Sequence, residues 1–127
     1  MSEPSREPHY PGAAAIEGYG GGGFHFAGMS HRGSILVLPD GIWAWPPADP
    51  SEIDEVSLAK MFAVAASIDL AFIGTGRDPF PLPESLRRRL HDSGIRFEAL
   101  PTPAAASTFN VLFAEGRRVA AALIATD

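Results

Sequence analysis

The chain contains no cysteine among its 127 residues. Disulfide bonds, thiolate metal sites and a cysteine nucleophile are therefore excluded. No segment approaches the roughly 18 consecutive apolar residues that a membrane-spanning helix requires. The first twelve residues hold no apolar stretch of the kind found in secretory signal peptides, so we expect a cytoplasmic protein.

An excess of positive charge is missing as well. Fifteen acidic and ten basic residues give a formal net charge of −5, which provides no general attraction to nucleic acid or anionic lipid. The four histidines show none of the close spacings typical of metal-binding helices. We therefore predict no nucleic-acid partner, no metal ion and no cofactor.

Glycine and proline are abundant, with 13 and 12 residues, but 46% of the chain is hydrophobic. That apolar content is typical of a folded domain rather than of a disordered chain. Three prolines among polar residues predict a flexible tail over residues 1–12. The remaining length suits a single α/β domain over residues 13–127.

The apolar pattern changes its period near the middle of the chain. The first half predicts short strands, among them the continuously apolar segment 35–38 and a returning strand that carries Trp43 and Trp45 on one face. The second half predicts the order β-α-β-α-β, which places helices over a largely parallel sheet. The predicted elements are helix 57–66, strand 70–73, helix 83–93, strand 96–100, a helix capped by Thr102, and strand 119–124.

A glycine turn follows the strand at 70–73 and resembles part of a dinucleotide-binding loop. The third glycine position is occupied by Pro79, so the pattern favours a tight turn at the end of the strand over a dinucleotide-binding loop. Because α/β sheets bind ligands at the carboxyl ends of their strands, this turn is also a candidate for lining a pocket. In that pocket Arg77 would contact an anion and Glu115 would act as an acid or base. No catalytic set is predicted, and the candidate pocket consists of Gly74, Thr75, Gly76, Arg77, Asn110 and Glu115.

Bulky apolar residues near predicted loops suggest a second kind of site. We expect Trp43, Trp45 and Phe80 to form an exposed patch that contacts a protein partner. Burial of these side chains would make that prediction wrong. Association of the chain with itself through an apolar surface is a further alternative.

An ordered set of short segments points to a known family. The segments are 18–20, 39–41, 73–76, 94–95, 100–102, 108–112 and 115–124. Over about residues 14–125 the chain resembles the family called domain of unknown function 498, which has mitochondrial, bacterial and archaeal members. The resemblance implies a compact three-layer α/β domain with a mixed central sheet.

The same resemblance implies a function, because the mitochondrial branch of the family assists assembly of respiratory complex I without being an enzyme. The leading hypothesis is therefore a non-enzymatic binding protein that resembles an assembly factor. Its expected partner is another assembly factor or a subunit of a membrane complex. The alternative is a small-ligand-binding protein or an enzyme that uses the cleft near residues 74–76.

Overall fold

The structure is a computed structural model that describes residues 7–127. Strands dominate the first part of this range, and helices alternate with strands in the second. The strands are β1 Ile16–Gly20, β2 Gly23–Phe26, β3 Met29–Arg32, β4 Ile35–Leu38, β5 Gly41–Ala44, β6 Leu70–Gly74, β7 Arg96–Leu100 and β8 Val119–Leu123. The helices are α1 Ala59–Ala63, α2 Glu84–Asp92 and α3 Thr102–Ala114.

The central sheet has five strands in the order β5-β4-β8-β6-β7. Strands β8, β6 and β7 run parallel, as the crossover helices α2 and α3 require, whereas β4 is antiparallel to both of its neighbours. A separate antiparallel sheet contains β1, β2 and β3. This arrangement confirms the mixed sheet that the family resemblance implied and the β-rich first half that the apolar pattern predicted.

Three layers result because both faces of the central sheet are covered. One face packs against α1 and α2, through side chains such as Leu36 of β4 and Leu90 of α2. The other face packs against α3 and the small sheet, through Val37 of β4, Phe109 of α3 and Phe26 of β2. Strand β4 is apolar at every position because it is buried on both faces.

Two local predictions differ from the structure. Strand β3 was not predicted, because three of its four residues are exposed and its sequence shows no apolar alternation. Its formation depends on antiparallel pairing with β2. The helix predicted over 57–66 is confined to Ala59–Ala63, and a short 3-10 turn at Ala65–Ser67 follows it.

The predicted tail is described only from residue 7 onward, since residues 1–6 lie outside the described range. Within the described part, the His9 backbone N–H donates to the Ile42 carbonyl over 2.7 Å. The Ile42 N–H in turn donates to the Tyr10 carbonyl over 3.0 Å. Residues 9 and 10 therefore lie along β5, at one edge of the central sheet.

Candidate functional site

The carboxyl ends of the inner strands β6 and β8 meet the beginning of α3 at one end of the central sheet. Gly74 is the last residue of β6, and the space beside its Cα is too small for a side chain. A Cβ atom built on Gly74 would lie 2.8 Å from Thr102 Oγ1 and 2.9 Å from Leu123 Cδ2. Glycine at this position therefore permits α3 and β8 to pack closely against the end of β6.

Thr102 joins the three segments through its hydroxyl group. The hydroxyl oxygen accepts a hydrogen bond from the Gly76 N–H over 3.0 Å, and the hydroxyl O–H donates one to the Ile124 carbonyl over 2.7 Å. The side chain is completely buried. The prediction that Thr102 caps α3 is wrong, because Pro101 occupies the N-cap position and the Thr102 side chain bonds to these two other segments instead.

Thr75 is also bonded within the fold. Its backbone N–H donates to the Leu100 carbonyl over 2.8 Å, which ties the end of β6 to the end of β7. Its hydroxyl donates to the Asp78 carbonyl over 2.8 Å and lies 3.2 Å from the same Leu100 oxygen. Thr75 therefore stabilises the turn that follows β6, and its side chain is almost fully buried.

A cavity of about 500 Å³ lies next to this junction. Three of the predicted pocket residues line it, namely Thr75, Gly76 and Arg77, and half-buried Phe80 lies beside them. Asp49 also lines the cavity, and its carboxylate accepts hydrogen bonds from the Ser51 hydroxyl and N–H. These bonds lower the pKa of Asp49, the hydroxyl contributing most. Opposite charges thus share the rim of the cavity.

Asn110 and Glu115 do not join the cavity, so that part of the predicted pocket is wrong. The helix α3 starts at the junction and runs away from it, and at 1.5 Å per residue Asn110 lies about 12 Å farther along. Its amide instead pairs with Ile16, accepting from the N–H and donating to the carbonyl, both over 2.8 Å. Glu115 is exposed beyond the far end of α3.

The expected contact patch is also wrong, because Trp43 and Trp45 are only 8% and 3% exposed. Both indoles lie on the same face of the sheet, as the alternation predicted, but α1 and α2 cover that face. The Trp45 indole N–H donates to the Ser57 carbonyl over 2.8 Å. The Trp43 indole N–H has no partner among residues 7–127. The exposed large apolar side chains of the described range are Tyr19, Met29, Val56 and Val111.

Several charged residues lie at the opposite end of the sheet, where the parallel strands β6, β7 and β8 begin. Asp69 precedes β6 and forms a two-point ion pair with Arg118, with distances of 2.8 and 3.3 Å. Arg96 and Arg117 line a neighbouring cavity of about 350 Å³. The Arg118 hydrogen bond, with smaller contributions from the charges of the other two arginines, lowers the pKa of the Asp69 carboxyl.

Within residues 7–127, no group of three or more histidine, cysteine or acidic side chains is placed to hold a metal ion. No helix in the same range has the length and apolar character needed to cross a membrane.

Comparison with known proteins gives a match that covers the whole fold. The profile of the family described as "Protein of unknown function (DUF498/DUF598)" matches residues 16–124, from the start of β1 to just beyond β8. A Bartonella henselae crystal structure described as an outer membrane protein is similar, with a TM-score of 0.90 and 43% identity. That similarity covers 94% of this chain and 100% of the other.

Two curated relatives differ in length and in what their names say. An uncharacterized protein from Rhodobacter capsulatus is 40% identical over 119 residues, which cover 94% of this chain and 90% of that protein. The "NADH dehydrogenase [ubiquinone] 1 alpha subcomplex assembly factor 3" of Mus musculus is 30% identical over 118 residues. This alignment covers 93% of the chain but only 64% of the mouse protein.

Proposed function

The chain belongs to the family described as "Protein of unknown function (DUF498/DUF598)", and on that premise we propose that it is a non-enzymatic binding protein that assists assembly of respiratory complex I in the cytoplasm. The observation that supports this proposal most strongly is the alignment with the mouse assembly factor over 93% of the chain. All the strands of the central sheet and the helices that cover it fall within the matched region. The partner would be another assembly factor or a subunit of the membrane complex.

The hydrogen bonds at the carboxyl end of the sheet favour binding over catalysis. An enzyme needs polar groups that are free to contact substrate, but the hydroxyls of Thr75 and Thr102 are bonded within the fold. The Asn110 amide is likewise committed to the backbone of Ile16. A protein partner requires only the outer surface, which these bonds leave unchanged.

Deletion of the encoding gene tests the proposed role. In cells that contain complex I, we expect less of the fully assembled complex on native gels and slower NADH oxidation by membranes. Succinate oxidation, which bypasses complex I, serves as the control and should not change. Expression of the intact chain should restore the complex. An unchanged amount of assembled complex I after deletion would contradict the proposal.

A ligand-binding role has one specific observation in its favour, the cavity of about 500 Å³ beside residues 74–76. Arg77 is exposed at its rim and makes no hydrogen bond or ion pair with other residues of the described range. Thermal-shift measurements with nucleotides, acyl carriers and metabolites would detect binding, because a ligand of the native state raises the melting temperature. A shift that Arg77→Ala abolishes would support this role, and no shift with any compound would contradict it.

A further inference from the structure

Strand β7 forms one edge of the central sheet. It pairs with β6 on one side, and no strand within residues 7–127 pairs with its other side. The Leu100 carbonyl points toward β6, because it accepts the hydrogen bond from the Thr75 N–H. Backbone groups alternate in direction along a strand, so the N–H and carbonyl groups of Phe97 and Ala99 point outward. Such an edge is able to pair with another strand.

The side chains of β7 carry opposite charges on either side of Phe97. Arg96 and Glu98 share the face of the sheet on which Leu100 packs toward α3, whereas Phe97 packs toward α1 and α2. Both charged side chains are exposed. Neither forms an ion pair with any residue in the described range. The exposed edge therefore has two opposite charges that form no ion pair within the described range.

We propose that two copies of the chain form a symmetric dimer by antiparallel pairing of their β7 strands about Phe97. In this register Arg96 of each copy lies directly opposite Glu98 of the other, so both charges of both copies are paired. The outward backbone groups of the two Phe97 residues face each other and form hydrogen bonds. On the opposite face of the joined sheet, the two Phe97 rings are neighbours.

The charges select this register over the nearest alternative. A two-fold axis at Glu98 would place the two Glu98 carboxylates directly opposite each other, and like charges in that position are destabilising. The Ile95 N–H is already bonded to the Leu90 carbonyl over 3.3 Å. Across the proposed strand pair, each copy therefore donates hydrogen bonds only from the backbone N–H groups of Phe97 and Ala99. Pairing of one short strand buries less than the roughly 1,200 Å² typical of stable interfaces, and we expect a weak, concentration-dependent dimer.

Sedimentation equilibrium of the intact chain, from about 20 μM to 1 mM, measures this association. We expect the average mass to rise toward that of a dimer. Arg96→Glu and Glu98→Arg should each weaken association by roughly tenfold, because each places like charges opposite each other. The double variant R96E/E98R exchanges the two charges and should restore association. A monomer at every concentration would overturn the proposal, as would a double variant no stronger than the single ones.

Two further variants separate the proposal from other roles of these charges. The exchange E84R/R88E alters an exposed ion pair on α2 in the same way and should leave association unchanged. Charges on edge strands also protect sheets against unwanted pairing. If Arg96 and Glu98 had only that role, the neutral variant R96A/E98A would associate more strongly than the natural chain. The proposed dimer requires it to associate more weakly.

Discussion

The two ends of the parallel strands differ in burial and in the kind of polar contact that they contain. At the carboxyl end, the neutral hydroxyls of Thr75 and Thr102 are buried and bonded to backbone groups. At the amino end, Asp69 and Arg118 form an ion pair that is exposed to solvent. The comparison shows that the hydrogen-bonding groups of a polar side chain at the carboxyl end of a sheet can all be bonded to backbone groups of the fold.

The physical consequence is that the two ends should contribute unequally to stability. Removing one partner of a buried hydrogen bond leaves the other unsatisfied, which costs about 1–3 kcal/mol. Exposed ion pairs are solvated and screened by salt, so they contribute much less. Variants at the two ends therefore provide a direct test of the difference.

The largest effect is expected from Gly74→Ala at the carboxyl end. The added methyl group would lie 2.8 Å from Thr102 Oγ1 and 3.1 Å from Thr102 Cα, so the start of α3 must shift. We expect the free energy of unfolding in urea to fall by about 3 kcal/mol. Gly12→Ala is the control, since its methyl group would meet nothing within 4 Å. Equal stability of the two variants would mean that the junction is loosely packed.

A smaller loss is expected when the Asn110 amide is removed. Asn110→Leu leaves the N–H and carbonyl of Ile16 without their partner, and we expect the free energy of unfolding to fall by about 2 kcal/mol. Thr108→Val, on the same helix, removes only a bond to the Ala104 carbonyl one turn earlier and should cost less. If Asn110→Leu proved as mild as Thr108→Val, the amide would be available for another role.

The smallest effect is expected from Asp69→Asn at the amino end. Because Arg118 lowers the pKa of the folded carboxyl below its ordinary value of 3.8, the ion pair stabilises the fold fully above that pH. Its contribution is lost as the pH falls through the lowered pKa. The small difference between Asp69→Asn and the natural chain should therefore stay constant from pH 7 to 5 and shrink below pH 3.8. If the stability difference between Asp69→Asn and the natural chain instead grew as the pH fell, the ion pair with Arg118 would not be its cause.

The sequence predicted the features of the fold that depend on local pattern. The spacing of Leu86 and Leu90 placed α2 correctly, and both side chains are buried. Gly94, with a φ of +84°, follows the end of the predicted segment 83–93, and the Ile95 N–H donates back to the Leu90 carbonyl. These elements were predictable because apolar periodicity and left-handed glycine are properties of short segments.

The candidate site was predicted only in part, because it depends on contacts between distant residues. The turn at 74–76 was placed correctly at the carboxyl end of a strand and lines a cavity through Thr75 and Gly76. Asn110, however, bonds to a residue 94 positions away, and nothing in its neighbourhood indicates that partner. The alternation of Trp43 and Trp45 gave their shared face but could not show that α1 and α2 cover it.

The central claim is that the buried hydroxyls of Thr75 and Thr102 at the carboxyl end stabilise the fold and are not free to bind a ligand. The direct test is the free energy of unfolding of Thr102→Val, which replaces the hydroxyl by a methyl group of similar size, compared with Thr102→Ser, which retains the hydroxyl. We predict that the valine variant is less stable than the serine variant by about 2 kcal/mol, because the Gly76 N–H and the Ile124 carbonyl lose their shared partner. A valine variant as stable as the natural chain would contradict the claim.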